Sequence, residues 1–573
     1  MDFERYRRKT LTGSFPLGLI LSLPLWGAVL FPAKQYTASC WLPEIAILLF
    51  TGLFFLFCIP AASLNRYELY GLCLILWCVS VDSFHSGPDM DNIIWWSCLL
   101  LFFGYVYRKR TDERSIYRIF SLLTTAIAVH SVLYKWGMVE QELFGNPAGY
   151  SAALVIGWPF PIGLLKESTH RKHKKAVICL IVCIVLYALV TTDSRSGYFA
   201  FALSLLWLLK SLFFPDKRIK RWHIVSLVLF LTCLLMILYC IRRDSANGRL
   251  FIYRITLECI MDAPVAGHGH NGFLRTYMLE QANFFHSHPD HNYRELANNV
   301  PYPFNEILNI LVHYGFVGLA ITAILIGKTV KQTSQNLLPD NTLLYTVLTS
   351  SWVAASGMSL FSYPFSYPYI SLFMVATLSF SLGYKKKRSI GLVPVRYAVI
   401  ILLMAGSYNI TQRVRCETLW RNGLARISKG EVSEGLEKLH HICNDMKQRP
   451  DFLYSYAAEL NLAGEYEKSS RVLPSIRLLL NDYDTELLAA DNALCTGQND
   501  RARLHLQLAH EMIPVRFMPL YGMLLSYNHE DDSLNARRIA IRILEQPVKI
   551  PSLTIQEIKQ EAQTLITENR STH

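Results

Sequence analysis

Charge is what this chain has little of. Only 17% of its 573 residues are Asp, Glu, Lys or Arg, where soluble domains average roughly 25%. The hydrophobic share is 52% and the mean hydropathy +0.24. These values exclude an ordinary soluble globule and fit an integral membrane protein with a soluble part attached. The thirteen cysteines contain no CxxC pair, and most lie inside apolar runs such as Leu72-Cys73-Leu74 and Val182-Cys183-Ile184. Neither a zinc ribbon nor a disulfide scaffold is indicated. No small-residue cleavage site follows the MDFERYRRKT start, so no cleavable signal peptide is expected. A net charge of +12 does not point to nucleic acid, because the excess sits in short clusters beside apolar segments, where it sets membrane topology.

What is present is a series of apolar segments. With roughly 20 apolar residues needed per crossing, about thirteen spans are expected. They lie near 14–31, 41–60, 68–84, 92–107, 116–137, 150–165, 176–192, 197–214, 223–240, 304–327, 342–361, 365–384 and 394–411. The basic clusters Arg7-Arg8-Lys9, Arg108-Lys109-Arg110, Lys174-Lys175, Lys217-Arg218 and Lys385-Lys386-Lys387-Arg388 fall on one side of such a map. The opposite turns, around Asp89 and Glu140-Gln141-Glu142, are acidic or neutral. A cytoplasmic N-terminus follows, and with it an extracytoplasmic placement of residues 241–303 and of everything after the last span.

After about residue 412 the apolar runs give way to an amphipathic helical pattern. Gly430-Glu431, Gly464-Glu465 and Gly497-Gln498 recur at spacings of 34 and 33 residues, and Trp420 and Tyr454 are 34 apart. A helix–turn–helix period of about 34 resembles tetratricopeptide repeats. A fourth, degenerate unit is expected near Asn528-His529-Glu530. The fold expectation is thus all-α: a polytopic helix bundle over 1–412 and an extramembrane helical-repeat domain over 413–573. Stacked repeats present a concave face that commonly binds a protein partner, and equally they can serve only as a stabilising cap.

Residues 241–303 interrupt the spans with a polar loop holding Arg249, Arg254, His286, His288 and His291 among its basic residues. Arginine forks match phosphate oxygens, so Arg249 and Arg254 read as phosphate or pyrophosphate ligands, or as attraction to anionic headgroups. They are five apart, which does not put them strictly on one helical face. Arg195, in the short hairpin Asp193-Ser194-Arg195-Ser196-Gly197, is charged at membrane depth; it either pairs there or snorkels. Closely spaced His could bind zinc, but no Cys lies near and the loop gives no fixed spacing, so no metal is expected; a general base is the better reading. Asn305-Glu306 opens the next span. Glu306 is placed where a helix dipole favours a carboxylate, whether it caps or reacts.

Four motifs in order resemble the O-antigen ligase and polymerase superfamily of membrane glycosyltransferases: Phe144-Gly145-Asn146-Pro147, Ser194-Arg195-Ser196-Gly197, Gly248-Arg249 with Pro264-x-x-Gly267-x-Gly269, and Phe304-Asn305-Glu306-x-Leu308 with Tyr314-Gly315-x-x-Gly318-Leu319. The resemblance covers about 140–325 and is of the GT-C type. It implies an enzyme of the bacterial inner membrane that moves a glycan from undecaprenyl pyrophosphate to the hydroxyl of a glycolipid or protein acceptor. No cofactor is expected. Arg195, Arg249, Arg254 and Asn305 are then the expected substrate ligands, and His286, His288, His291 or Glu306 the source of the base. The family commonly has His where this chain has Phe304, so the base does not carry over by position. A polymerase, a protein O-oligosaccharyltransferase and, from another class, a transporter or assembly scaffold are the alternatives. Against transport, no paired Gly/Pro-broken spans mark two matching halves.

Overall fold

The computed structural model describes residues 66–85, 89–108, 112–140, 142–167, 172–214, 221–337, 342–382 and 393–568, with a few single positions before 66 and Gly87. The expected spans near 14–31 and 41–60 lie, apart from those single positions, outside the described residues. Within them every regular element is helical. The chain runs α1 (Arg66–His85), α2 (Met90–Arg108), α3 (Glu113–Lys135), α4 (Pro147–Gly157), α5 (Pro159–Glu167), α6 (Lys172–Thr191), α7 (Arg195–Phe213), α8 (Arg221–Ile241), α9 (Arg243–Asp262) and α10 (Gly272–Ser287). Then come α11 (Glu306–Leu337), α12 (Thr342–Ser359), α13 (Pro368–Leu382) and the 35-residue α14 (Val393–Ile427).

Among the described residues, seven stretches are long and apolar enough to cross a membrane: α1, α2, α3, α4 with α5, α6, α7 and most of α11. They coincide with seven of the expected spans. The other four expected within the described residues, near 223–240, 342–361, 365–384 and 394–411, are helical without meeting both conditions. The bundle core is an aromatic and aliphatic cluster around Tyr117, Phe120, Phe160 and Phe373, with rings 4.4 to 5.5 Å apart. Small hydroxyl residues join helices inside it. Ser204 Oγ accepts from Trp158 Nε1 and donates to the Ser350 carbonyl, a bonding pattern suited to a medium without water.

One membrane helix is broken. Gly315 of α11 has φ 65° and ψ −169°, separating a short Glu306–Tyr314 piece from the longer apolar remainder. The loop segment 264–269 fills the break. Pro264 O accepts from Phe316 N at 2.8 Å, while His268 N and Gly269 N donate to Val312 O and His313 O at 2.9 Å each. Backbone groups freed from a membrane helix need such partners. A β-carbon at Gly315 would fall onto the Val265 carbonyl. The motif Pro264-x-x-Gly267-x-Gly269 is therefore a splice between loop and span.

The C-terminal part is an array of antiparallel helix pairs. The end of α14 pairs with α15 (Val432–His441), α16 (Pro450–Leu462) with α17 (Tyr466–Arg477), α18 (Tyr483–Cys495) with α19 (Asn499–Met512), and α20 (Met518–His529) with α21 (Ser533–Glu545); α22 (Leu553–Glu568) closes it. Gly430, Gly464 and Gly497 sit in the intra-pair turns with φ of 90°, 79° and 72°, the left-handed conformation that ends a helix cheaply only in glycine. In the fourth pair the same position holds Asp531, with φ 56°. Trp420 packs edge-on to Phe452 at 5.4 Å and donates to Ser455 Oγ, locking the first pair to the second.

The array does not stand apart from the bundle. Its α19 lies against α10 of the large loop, and both contribute to one apolar cluster of Phe251, Phe273, Phe285, Ala509, Met512 and Ile513. Gln281, fully buried, donates to Met512 O at 2.6 Å. Asn481 N donates to Leu274 O, and Asn299 to Asp482. Arg449 forms ion pairs with Asp89, just before α2, and with Asp91 in its first turn. Loop and repeats therefore lie on the same side of any membrane the bundle spans.

Candidate functional site

The hairpin between α6 and α7 is built by Ser194, whose hydroxyl caps α7 by accepting from Gly197 N at 3.3 Å. This leaves Arg195 on the first turn. Its guanidinium donates to the carbonyls of Leu238 and Arg242 at 3.1 and 3.0 Å and to Ser245 Oγ at 2.7 Å. The first two are carbonyls at the end of α8, where a cation complements the helix dipole. Beside it Arg242 pairs with Asp193 at 2.6 Å. Arg195 is near enough to Arg249 and Arg242 to feel both charges.

Arg249 lies on the first half of α9, half-buried. Its guanidinium carbon sits 5.5 Å from the centre of the Phe304 ring. Among the described residues no carboxylate pairs with it. Burial pushes its pKa down from the usual arginine value, partly offset by the neighbouring Tyr253 and Tyr363 hydroxyls. A cation–π contact leaves the in-plane N–H fork of arginine available for an anion.

Around Arg249 stands a ring of aromatics. Tyr302 stacks on Tyr363 at 4.3 Å, Phe304 meets Tyr363 at 5.5 Å, and Tyr363 stacks on Tyr367 at 5.9 Å. Tyr253 OH donates to Phe304 O and to Leu360 O. Asn146, first residue before α4, accepts from Gly149 N and from Tyr367 OH, and donates to Tyr363 OH at 3.0 Å. The Phe-Gly-Asn-Pro segment thus caps a helix with Asn146, starts it with Pro147, and ties it to the aromatic ring.

The exit of the loop completes the group. Asn305 Oδ1 accepts from Ile307 N and Leu308 N, capping α11, while its amide donates to Leu360 O. Glu306 is buried; Oε1 accepts from Phe365 N at 3.0 Å and Oε2 from Asn309 Nδ2 at 3.2 Å. Phe304 itself has φ 51°, a left-handed conformation unusual for a bulky side chain. Of the three non-glycine residues with positive φ among the described residues, Phe304 and Asp193 both border this site; such strain is held where surrounding structure fixes it.

The structure brings Arg195 and Arg249 near one another and ties Asn305 to Leu360 O beside Tyr253, while Glu306, two residues after Phe304, is bonded to Phe365 N and Asn309. Arg254 and the three loop histidines form another group. Arg254 stacks over Phe284 at 4.7 Å, on the other side of α9. His288 stacks on Phe284 at 4.9 Å, and His291 packs on Phe284 and Tyr293. His286 pairs with Glu511 of the repeat array at 2.8 Å, which raises its pKa above the usual imidazole value. His268 bonds to the Cys259 carbonyl and supports the loop. The sequence reading missed Tyr253, Tyr363 and Arg242 as site residues. The paired Ser-Tyr-Pro triplets at 362–364 and 366–368, breaking an apolar stretch, were the available signal for Tyr363.

Residues 180–323 match the family model described as Wzy_C, O-antigen ligase. Arg195, Arg249, Asn305 and Glu306 all lie inside the matched stretch. Among solved structures the chain is similar to the crystal structure of yeast Tom70, at 12% identity and a TM-score of 0.21, covering 88% of this chain and 97% of that one. No curated protein matches it.

Proposed function

We propose that the chain transfers a glycan from an undecaprenyl-pyrophosphate carrier to the hydroxyl of an acceptor, at the extracytoplasmic face of a bacterial inner membrane. In this reading residues 1–412 form the transferase bundle, 413–573 the repeat domain, and the N-terminus is cytoplasmic. The observation that carries it is Arg249. It is a half-buried guanidinium resting on an aromatic ring, without a carboxylate among the described residues, and near enough to Arg195 for their charges to interact.

Arg249 holds the pyrophosphate, with Arg195 and Arg242 raising the local positive potential. Arg195 has spent three of its five N–H groups on the end of α8 and Ser245. The acceptor oxygen attacks the anomeric carbon, the bond from that carbon to the pyrophosphate oxygen breaks, and the leaving electron pair is stabilised by the arginines. The acceptor proton passes to Glu306, whose carboxylate opens α11 two residues after Phe304. The aromatic ring of Tyr302, Phe304 and Tyr363 offers faces for a sugar. The arginine charge makes the reaction metal-independent, so transfer is expected to survive EDTA.

The repeat array clasped to the loop favours an acceptor delivered by, or forming part of, a protein partner over polymerisation of lipid-linked units. Gel analysis of surface glycans and glycoproteins in a strain carrying only the variants tests the assignment. Arg249→Ala and Glu306→Gln are expected to leave the acceptor unmodified and long-chain glycan unattached. Attachment at the parental level in both variants sinks the site. A single repeat unit on the acceptor converts the assignment to a polymerase.

A further inference from the structure

Helix α9 is apolar on two faces. One face, with Phe251, Ile255 and Cys259, is buried in the loop's own core. The opposite side carries Leu250, Leu257 and Met261, whose helical spacing puts them in one row. Val265, just past the helix end, extends that row. These four are 54%, 51%, 72% and 63% exposed. Single exposed apolar residues are ordinary, whereas an aligned row of large ones marks a surface with an apolar neighbour. The charges beside the row stand to one side of it. Arg254 turns its guanidinium onto the Phe284 ring, and the exposed Glu258 and Asp262 continue that flank.

The two ends of α9 fix its depth. Its start follows α8 after the single residue Arg242. Arg195, in the hairpin between α6 and α7, donates to the carbonyls of Leu238 and Arg242. The start of α9 is therefore level with the ends of α6, α7 and α8. Its far end runs into the break of α11, where Val265 O accepts from Val317 N and Pro264 O from Phe316 N. The piece of α11 after the break reaches from Phe316 to Gln335. Its roughly 20 residues cover about 30 Å, the thickness of a hydrocarbon core, so the break lies at the loop-side edge of that core. Down this piece the exposed Phe316, Ala320, Ala323 and Ile324 share one helical side, the stripe that faces lipid. The α9 row meets this stripe where Val265 pairs with Val317.

We infer that Leu250, Leu257, Met261 and Val265 insert into the phospholipid leaflet on the loop side of the membrane, and that α9 lies in the interface as a bar between α8 and α11. At 20 residues the bar is about 30 Å long. Its buried face holds the loop, its outward row is solvated by acyl chains, and Arg254, Glu258 and Asp262 stay at headgroup level or above. The inference requires only that the bundle spans a bilayer; it does not depend on the transferase reading.

The unmodified full-length protein in nanodiscs of phosphatidylethanolamine and phosphatidylglycerol, one copy per disc, tests this with chloramine-T, a charged oxidant confined to water. Met261 is more exposed than Met518 of α20, at 72% against 46%, so a loop surface bathed in water oxidises faster at Met261. Insertion reverses that order. Met261 is expected to become the sulfoxide roughly tenfold more slowly than Met518, since a face sunk about 5–10 Å is withdrawn from such a reagent. A phospholipid with a diazirine near the top of its acyl chain is expected to label both the 250–265 peptide and the stretch around Phe316. Oxidation of Met261 as fast as Met518 overturns the proposal. So does labelling confined to α11, or protection of Met261 that appears only with two copies per disc, which makes the occupant a second copy of this chain.

Discussion

The large loop presents one face to the bundle and another to the repeat array. On the bundle side Arg249 rests against Phe304 without a carboxylate among the described residues, and backbone strain gathers at Phe304 and Asp193. On the array side Gln281 is satisfied by Met512 O and Tyr277, His286 by Glu511, and Asn481 by the loop's own carbonyls. The first face keeps cationic capacity in reserve, and the second spends most of its polar groups on contact. A segment can thus be rigidly docked on one side because it is held ready on the other; a site preorganised for chemistry needs such support.

The comparison can be pressed hardest at Arg249. Arg249→Ala is expected to lower transfer at least about a hundredfold while leaving the melting temperature within a degree or so. A large fall in melting temperature would make Arg249 a structural residue and erase the contrast. Acid tests the other face. Burial, then Arg542 and Arg294, push the His510 pKa down to about 4. The unfolded chain takes up that proton near the ordinary histidine value, roughly 6.5, and the folded chain only near 4. Stability is therefore complete above that ordinary value and lost as pH falls through this window, by at most roughly 3 kcal/mol. His286 has the opposite sign: its raised pKa means that its pair with Glu511 helps below the ordinary value and fades as pH rises. Thermal melts from pH 7 to 4 should steepen their decline with His510 present and flatten in His510→Gln; parallel curves would contradict the buried neutral imidazole.

Gln281→Leu is expected to cost about 2 kcal/mol, by orphaning Met512 O and the Tyr277 hydroxyl. Transfer per folded molecule should be nearly unaffected; hydrogen exchange should show α10 and α19 opening together. Exchange unchanged in both helices would mean that the clasp is apolar alone. The smallest effect is in the fourth repeat, where Asp531→Gly relieves a left-handed aspartate and should stabilise the array by about 0.5–1 kcal/mol, seen as a small rise in denaturant midpoint. No rise would mean that Asp531 is compensated locally.

The repeats were legible because a turn needing positive φ selects glycine, and glycine at a fixed period survives as a written pattern. The fourth was blurred because Asp531 tolerates the same φ. Arg249 and Arg254, five apart, do part to opposite sides of α9, as helical geometry requires. The break in α11 was not legible: Gly315 stands inside a segment, 304–327, that reads as one span, and what holds the break open is backbone pairing with 264–269, some fifty positions earlier. Tyr253 and Tyr363 were hidden for the same reason. Their contacts to Phe304, Leu360 and Asn146 are long-range, and single-sequence periodicity reports only neighbours along a helix.

The 35-residue α14 has a mechanical consequence. At 1.5 Å per residue it is a rod about 50 Å long, passing from the apolar bundle into the first repeat without a joint. The array is held at its first pair by the rod and at its third pair by α10. A load applied to its free surface cannot be absorbed by swivelling. It is delivered to α10, through the backbone pairing of His268 and Gly269 into the break of α11, and so to the short half-helix that begins with Glu306.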